Sequence, residues 1–137
     1  MNDNLIFMGI NAPRAHQAVI TRLIYGLTDL YIDKKTTLFP YPETMINEGE
    51  TSPVPDVMLV DPATDLVKML IEINHTQGIQ KDVQKVRKLM QEYAVPEGFT
   101  YDYKLKKWLK LQLSDLANPM PSSFSDLIQA DLQAFLA

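Results

Sequence analysis

The stretch whose reading decides the fold is Pro55-Asp56-Val57-Met58-Leu59-Val60-Asp61-Pro62-Ala63-Thr64-Asp65-Leu66-Val67-Lys68-Met69-Leu70-Ile71-Glu72-Ile73-Asn74. Two apolar runs flank a polar turn, Asp61 to Asp65, whose Asp-Pro opening and short side chains favour a chain reversal. The reading that follows is a β-hairpin. Each strand carries an acidic residue that an apolar core would not hold: Asp56 at the entrance of the first and Glu72 near the end of the second.

The turn predicts the register. With Asp61 opposite Asp65, Val60 faces Leu66 and Leu70 faces Asp56, so Glu72 becomes the diagonal neighbour of Asp56 on the same face, with Cβ atoms roughly 7 to 8 Å apart. Two carboxylates at that spacing can share a cation. A slip of one residue would send them to opposite faces. Asn74 has the parity of Glu72 and extends the polar corner.

These residues resemble a known family. Pro55-Asp56 followed by Glu72-Ile73-Asn74 looks like the metal-binding core of the PD-(D/E)xK nuclease superfamily, with its restriction-endonuclease-like fold, and is most similar to the Uma-type family of endonucleases. The order of elements carries the likeness across most of the chain: an early helix with His16, a strand with Pro40 and Pro42, the two acidic strands, and a helix with Asp82 ten positions after Glu72. It continues into Val95-Pro96-Glu97 and a short strand with Asp102. The resemblance implies an α/β fold with a central mixed sheet flanked by helices, in the order α-β-β-β-α-β-β-α.

It also implies a chemistry. Asp56 and Glu72 would be the metal ligands, and a hard cation, Mg²⁺ or Mn²⁺, suits a donor set of oxygens without thiols. The implied reaction is metal-dependent endonucleolytic hydrolysis of phosphodiester bonds, with nucleic acid, above all DNA, as the partner. The chain departs from the family where a Lys usually follows the Glu by two, because Asn74 stands there. The helical position where Uma-type chains place a Lys instead is Val86. Lys85 is then the expected catalytic lysine, with Lys81 as second choice, and Asn74 orients water without acting as a base. The alternative, from a different class, is a catalytically degenerate member of this fold acting as a binding or interaction module.

The rest of the chain sets bounds. Its 137 residues suit one domain, 1–137, and 46% apolar with 22% charged residues is ordinary for a globular protein. No run of some eighteen apolar residues and no basic-then-apolar start is present, so neither a membrane span nor a signal peptide is expected and the cytoplasm is the expected location. Without cysteine there is neither a disulfide framework nor a thiolate metal site. A net charge of −4 argues against a protein that coats nucleic acid through bulk electrostatics but leaves room for a local basic groove.

Working outward from the hairpin, residues 1–10 show no clear period and read as a loosely attached arm. Asn11 is a plausible N-cap for a helix to about Ile32, with Val19, Leu23, Leu27 and Leu30 as its stripe. Gly26 inside it would cost on the order of 1 kcal/mol unless another element approaches closely. Thr36 to Ile46 reads as a strand that its prolines confine to an edge, an exposed edge of the kind that points to a homodimer. Asn47 to Pro53 is a polar loop. Gly78 to Tyr93 is a helix whose residues Ile79, Val83, Val86, Met90 and Tyr93 face the core, while Lys81, Lys85 and Lys88 form another line. Phe99 to Tyr103 alternates as a strand. Lys107 to Leu113 is its partner, and Lys104, Lys106, Lys107 and Lys110 with Tyr103 and Trp108 form a candidate nucleic-acid surface. Phe124 to Leu136 reads as a short amphipathic helix. His16 and His75 are candidate ligands or proton carriers, although a lone strand-end His is more often simply hydrogen-bonded.

Overall fold

The computed structural model describes residues 13–47, 54–75 and 79–137. The expected N-terminal arm, the Asn11 cap, most of the 47–53 loop, Gly78 and the side chain of Ile79 lie outside them. Helix α1 (Arg14–Ile32) begins one residue after Pro13, whose extended backbone leads into it. It is followed by β1 (Phe39–Pro42), β2 (Val57–Asp61), β3 (Leu66–Asn74), α2 (Ile79–Tyr93), β4 (Glu97–Asp102) and β5 (Lys107–Gln112). The five strands form one sheet in chain order, β1-β2-β3-β4-β5. Only β3 and β4 are parallel, so α2 is the crossover between them and the sheet is mixed.

The hairpin forms as its turn chemistry dictates. Asp61 Oδ1 accepts the Ala63 N–H at 2.9 Å, the Asp61 carbonyl accepts the Asp65 N–H at 2.7 Å, and Asp65 takes a left-handed conformation, which a short polar residue tolerates. The register differs from the expected one. Asp61 pairs with Leu66 rather than standing opposite Asp65, and a bulge between the Val60–Val67 and Leu59–Met69 pairs leaves Lys68 extra. Val67 and Leu70 consequently face one side and Met69 and Ile71 the other. From Val57–Ile71 onward the ladder aims Asp56 at Glu72 itself, not at Leu70.

The faces of the sheet are covered by one helix each. Ile20, Leu23 and Leu27 of α1 pack on Val57, Leu59, Met69, Ile71, Phe99 and Tyr101, while Val19 and Leu30 of the expected stripe are only partly buried. On the other face Val83, Val86, Leu89 and Met90 of α2 meet Met58, Val60, Val67 and Leu70, with Tyr93 at the margin. A Cβ on Gly98 would collide with the Met90 sulfur and with Val86, so this glycine lets α2 lie directly on the backbone of β4. The close approach anticipated for Gly26 comes from the Phe135 ring. The Pro-containing β1 is shorter than expected and does occupy a sheet edge.

The C-terminal segment corrects two expectations. No α-helix forms over 124–136; instead Phe124–Ser125 (β6) and Ala130–Asp131 (β7) make a small hairpin that leads into a 3₁₀ helix, Leu132–Leu136. Local side chains draw the backbone away from a helix. Ser122 Oγ accepts the Phe124 N–H at 3.1 Å, Asp131 accepts the Gln133 N–H at 3.1 Å, and the buried Glu97 carboxylate takes the Ser125 hydroxyl at 2.6 Å and the Asp126 N–H at 2.8 Å. The same segment covers β5. Lys110 is buried with its Nζ 2.8 Å from Asp126 and 3.5 Å from Glu97, and Trp108 is buried with its ring N–H donating to Gln133 at 2.8 Å. Neither residue belongs to an exposed nucleic-acid surface; Lys104, Lys106 and Lys107 stay exposed.

Candidate active site

The ends of β2, β3 and α2 assemble the polar corner. Asp56 lies one residue before β2, where the ladder has run out, and its Oδ2 accepts the Ile73 N–H of β3 at 2.7 Å. The carboxylate thus takes the place of a strand partner and is held in the plane of the sheet. His16 of α1 reaches the same point from the other side, with Nε2 3.1 Å from the Ile73 carbonyl and 3.4 Å from Asp56 Oδ2. This contact with Asp56 raises the His16 pKa, and burial pulls it back only in part. The edge of the His16 ring meets Tyr103, which His75 approaches in the same manner; His75 itself is exposed.

Glu72 projects from β3 on the α2 face and is buried. Lys85 of α2 donates to Glu72 Oε1 at 2.8 Å and to the Val54 carbonyl at 3.0 Å. Glu72 Oε2 is buried with no hydrogen-bond partner. Burial first, and then the charge of Asp56, push the Glu72 carboxyl up to about 8, with Lys85 acting in the opposite direction. Asp82, in the first turn of α2, is also raised, by burial first, while Asn74 and Lys85 oppose the rise. The Asn74 amide is close enough to Asp82 to favour its charged form, and both of its polar atoms are buried without a well-formed hydrogen bond. Lys81, one turn before Lys85, is exposed; among the described residues Lys85 is the lysine of α2 that reaches Glu72.

The structure therefore brings Asp56, Glu72, Asn74 and Lys85 to one end of the sheet and leaves Lys81 on the outer surface of α2. No three His, Asp or Glu side chains converge among the described residues in a way that could hold a metal ion. The donor set still fits a divalent cation. Mg²⁺ takes one or two carboxylates and keeps several waters. The buried Glu72 oxygen without a partner lies beside the Asp56 carboxylate, whose charge helps to hold the Glu72 proton on, a place that a divalent cation would take from the proton. Three participants carried little signal in the sequence. His16 and Asp82 were visible only through the order of elements, and the Val54 carbonyl had no mark at all.

Comparison with known proteins adds the fold. No family model and no curated protein matches the chain. Among solved structures it is similar to one described as "a putative nuclease belonging to DUF820 from Anabaena variabilis ATCC 29413", with a TM-score of 0.71 at 12% identity over 92% of this chain and 84% of that one. The two share a fold. That fold is the α/β arrangement with a mixed central sheet flanked by helices, and in this chain it places two carboxylates and a lysine at the sheet end. No described helix is long and apolar enough to cross a membrane.

Proposed function

We propose that this chain is a metal-dependent endonuclease of the PD-(D/E)xK type, similar to the Uma-type family, that hydrolyses phosphodiester bonds in DNA. The observation that carries the reading is the Lys85–Glu72 contact at 2.8 Å beside an unpaired Glu72 Oε2 and the Asp56 carboxylate. It joins two acids that can share a cation and a cationic donor, the parts that metal-assisted phosphodiester hydrolysis uses. The share of the fold held in common with a nuclease-described structure supports it.

In this reading Asp56 and Glu72 would hold Mg²⁺ or Mn²⁺. Such a cation, when bound, lowers the pKa of water and offsets charge on the phosphoryl oxygens. The residues of the chain do the rest. Asp56 is fixed by the Ile73 amide, so its remaining oxygen is presented without reorganisation. Lys85 donates a hydrogen bond to Glu72, whose carboxyl keeps its proton to about 8, and supplies hydrogen-bond donors and positive charge where the phosphoryl group gains charge. An ammonium has no acceptor, so it orients the attacking water and does not deprotonate it. Asn74 orients water through its two unpaired polar atoms. The water oxygen forms a new bond to phosphorus, its proton passes to solvent, and the departing ester oxygen carries away the bonding pair and is protonated by solvent. With no base fixed beside the water, the predicted rate is slow.

The test is nicking of supercoiled DNA with Mn²⁺ or Mg²⁺, together with calorimetric titration of the cation. Asp56→Ala and Glu72→Ala are expected to abolish cleavage and to lower the affinity for the cation. Cleavage that persists in chelator, or in the double carboxylate variant, overturns the reading; cation binding without cleavage of any DNA or RNA would turn the reading to a binding module.

A further inference from the structure

The tip of the β4–β5 hairpin is a run of four exposed residues, Lys104, Leu105, Lys106 and Lys107, three of them cations. No described acidic side chain pairs with any of the three lysines. Asp102, across the ladder from Lys107, is engaged with the turn itself. Its Oδ1 accepts the backbone N–H groups of Lys104 at 2.9 Å and Leu105 at 3.0 Å, and its Oδ2 is buried without a partner. Lys106 then closes the turn in the left-handed region. The result is a turn held by backbone bonds that presents three uncompensated charges to solvent.

That turn stands at the end of the sheet that carries Asp56 and Glu72. Strands β3 and β4 run parallel, with Glu72 beside Thr100 and Asn74 beside Asp102, so the chain leaves β4 next to the polar corner. Tyr103 roots the turn there. Its N–H donates to the Asn74 carbonyl at 3.0 Å, and its ring is met edge-on by His75 and by His16, which is itself 3.4 Å from Asp56. Adjacent strands lie about 4.8 Å apart, which puts the middle of the turn roughly 10 Å from the gap between the β2 and β3 acids. One strand of DNA carries a charge every 3.4 Å or so, and a backbone crossing the corner reaches the turn about three phosphates on.

The corner is itself poor in positive charge. Asp56, Glu72 and Asp82 outnumber Lys85 there, in a chain of net charge −4, so a polyanion approaching the acids needs a cationic surface beside them. We infer that Lys104, Lys106 and Lys107 hold the phosphate backbone of the DNA strand that lies across Asp56 and Glu72. A membrane-surface segment would bury a whole apolar face, and Leu105 is the one apolar residue of this tip, whereas contacts to phosphates need only the cations. The choice of DNA as the polyanion rests on the nuclease reading above.

The probe is a short, fluorescently labelled DNA duplex, followed by anisotropy in chelator over a series of salt concentrations. The triple variant Lys104→Gln, Lys106→Gln, Lys107→Gln keeps the backbone bonds to Asp102 and should bind more weakly. Its slope of log K against log salt should be shallower by about 2 to 3, close to 0.9 for each phosphate contact removed. A control of equal charge, Arg22→Gln, Lys34→Gln, Lys35→Gln, alters exposed residues of α1 and of the segment after it, where Lys34 borders the same cleft as Asp61, Pro62 and Ala63 at the far end of the sheet. It should keep the wild-type slope. The inference is overturned by equal slopes in wild type and the first variant, by an equal loss in both variants, by no duplex binding at low salt, or by sedimentation with phosphatidylserine vesicles that is tighter than duplex binding and needs the three lysines. Nicking assays separate it from the nuclease reading. Where Mn²⁺-dependent nicking is seen, the first variant should raise KM far more than it lowers kcat, because the turn binds substrate away from the reacting atoms; nicking with an unchanged KM overturns the turn alone. Duplex binding that needs the three lysines, without nicking in any divalent metal, overturns the nuclease alone.

Discussion

Lys85 Nζ stands 2.8 Å from Glu72 Oε1 and 3.0 Å from the Val54 carbonyl, so one ammonium ties α2 to β3 and to the segment entering β2. Glu72 lies deep and Lys85 partly open, an arrangement in which the lysine can turn toward a substrate without unpacking the core. Replacing a preorganised charged donor at a phosphoryl site lowers the rate by about 10²-fold. Lys85→Ala should therefore reduce Mn²⁺-dependent nicking by that order while Mn²⁺ still binds in calorimetry. A variant as fast as wild type would remove Lys85 from the mechanism and return attention to Lys81.

The raised Glu72 pKa makes stability depend on pH with a definite sign. The folded protein retains this proton to about 8, whereas the unfolded chain releases it near the ordinary 4.5. Between those values the native state binds more protons, so the stabilising contribution is complete below about 4.5 and is lost as pH rises through about 8. His16 and Asp82, also raised, act in the same direction. Urea midpoints measured in chelator should fall from pH 5 to pH 8, and saturating Mn²⁺ should flatten the decline because the cation takes the place of the proton. A midpoint that climbs over this interval would contradict the burial and charge assigned to Glu72.

The sequence carried the hairpin, the edge placement of the proline strand and the core stripe of α2, because turn chemistry and period act within a few residues. It carried less of what depends on distant partners. The bulge at Lys68 has no local signature, yet it decides that Asp56 is aimed at Glu72 and not at Leu70. Ser123, Asp126 and Asp131 look like ordinary polar helix residues until the buried Glu97 and Lys110 give Ser125 and Asp126 partners that pull the backbone into a hairpin. Trp108 and Lys110 read as surface for the same reason. The carboxylates at 56 and 72 were legible as misfits in apolar strands, whereas the unpaired oxygen of Asp102 appears only once β4 is enclosed.

Glu97 holds the C-terminal hairpin on the sheet. Both of its oxygens are engaged, and Lys110 lies buried between it and the exposed Asp126. Removing one partner of a buried pair leaves an uncompensated charge and destabilises by about 3 to 5 kcal/mol. Glu97→Ala should lose stability on that scale, and the Ser125, Asp126 and Leu132 amides should exchange faster than those of β3. A loss below about 1 kcal/mol would show that Asp126 suffices for Lys110.

Asp56 has a structural task and an electrostatic one, and two substitutions separate them. Its Oδ2 satisfies the Ile73 amide at 2.7 Å, and its charge is the second-largest cause of the raised Glu72 pKa. Asp56→Ala removes both; an amide left without its acceptor in a buried strand costs about 1 to 3 kcal/mol. Asp56→Asn retains an oxygen for the Ile73 N–H and removes only the charge, so most of that loss should be spared. Without the neighbouring charge Glu72 ionises at lower pH, and the decline in stability toward pH 8 becomes shallower than in wild type. Mn²⁺ affinity should fall in both variants, since only one of the two carboxylates remains. Urea midpoints across pH 5 to 8 for the three proteins, read beside Mn²⁺ titration, test this directly. Equal destabilisation by Ala and Asn would mean that the charge of Asp56, and not its bond to Ile73, holds the strand ends together.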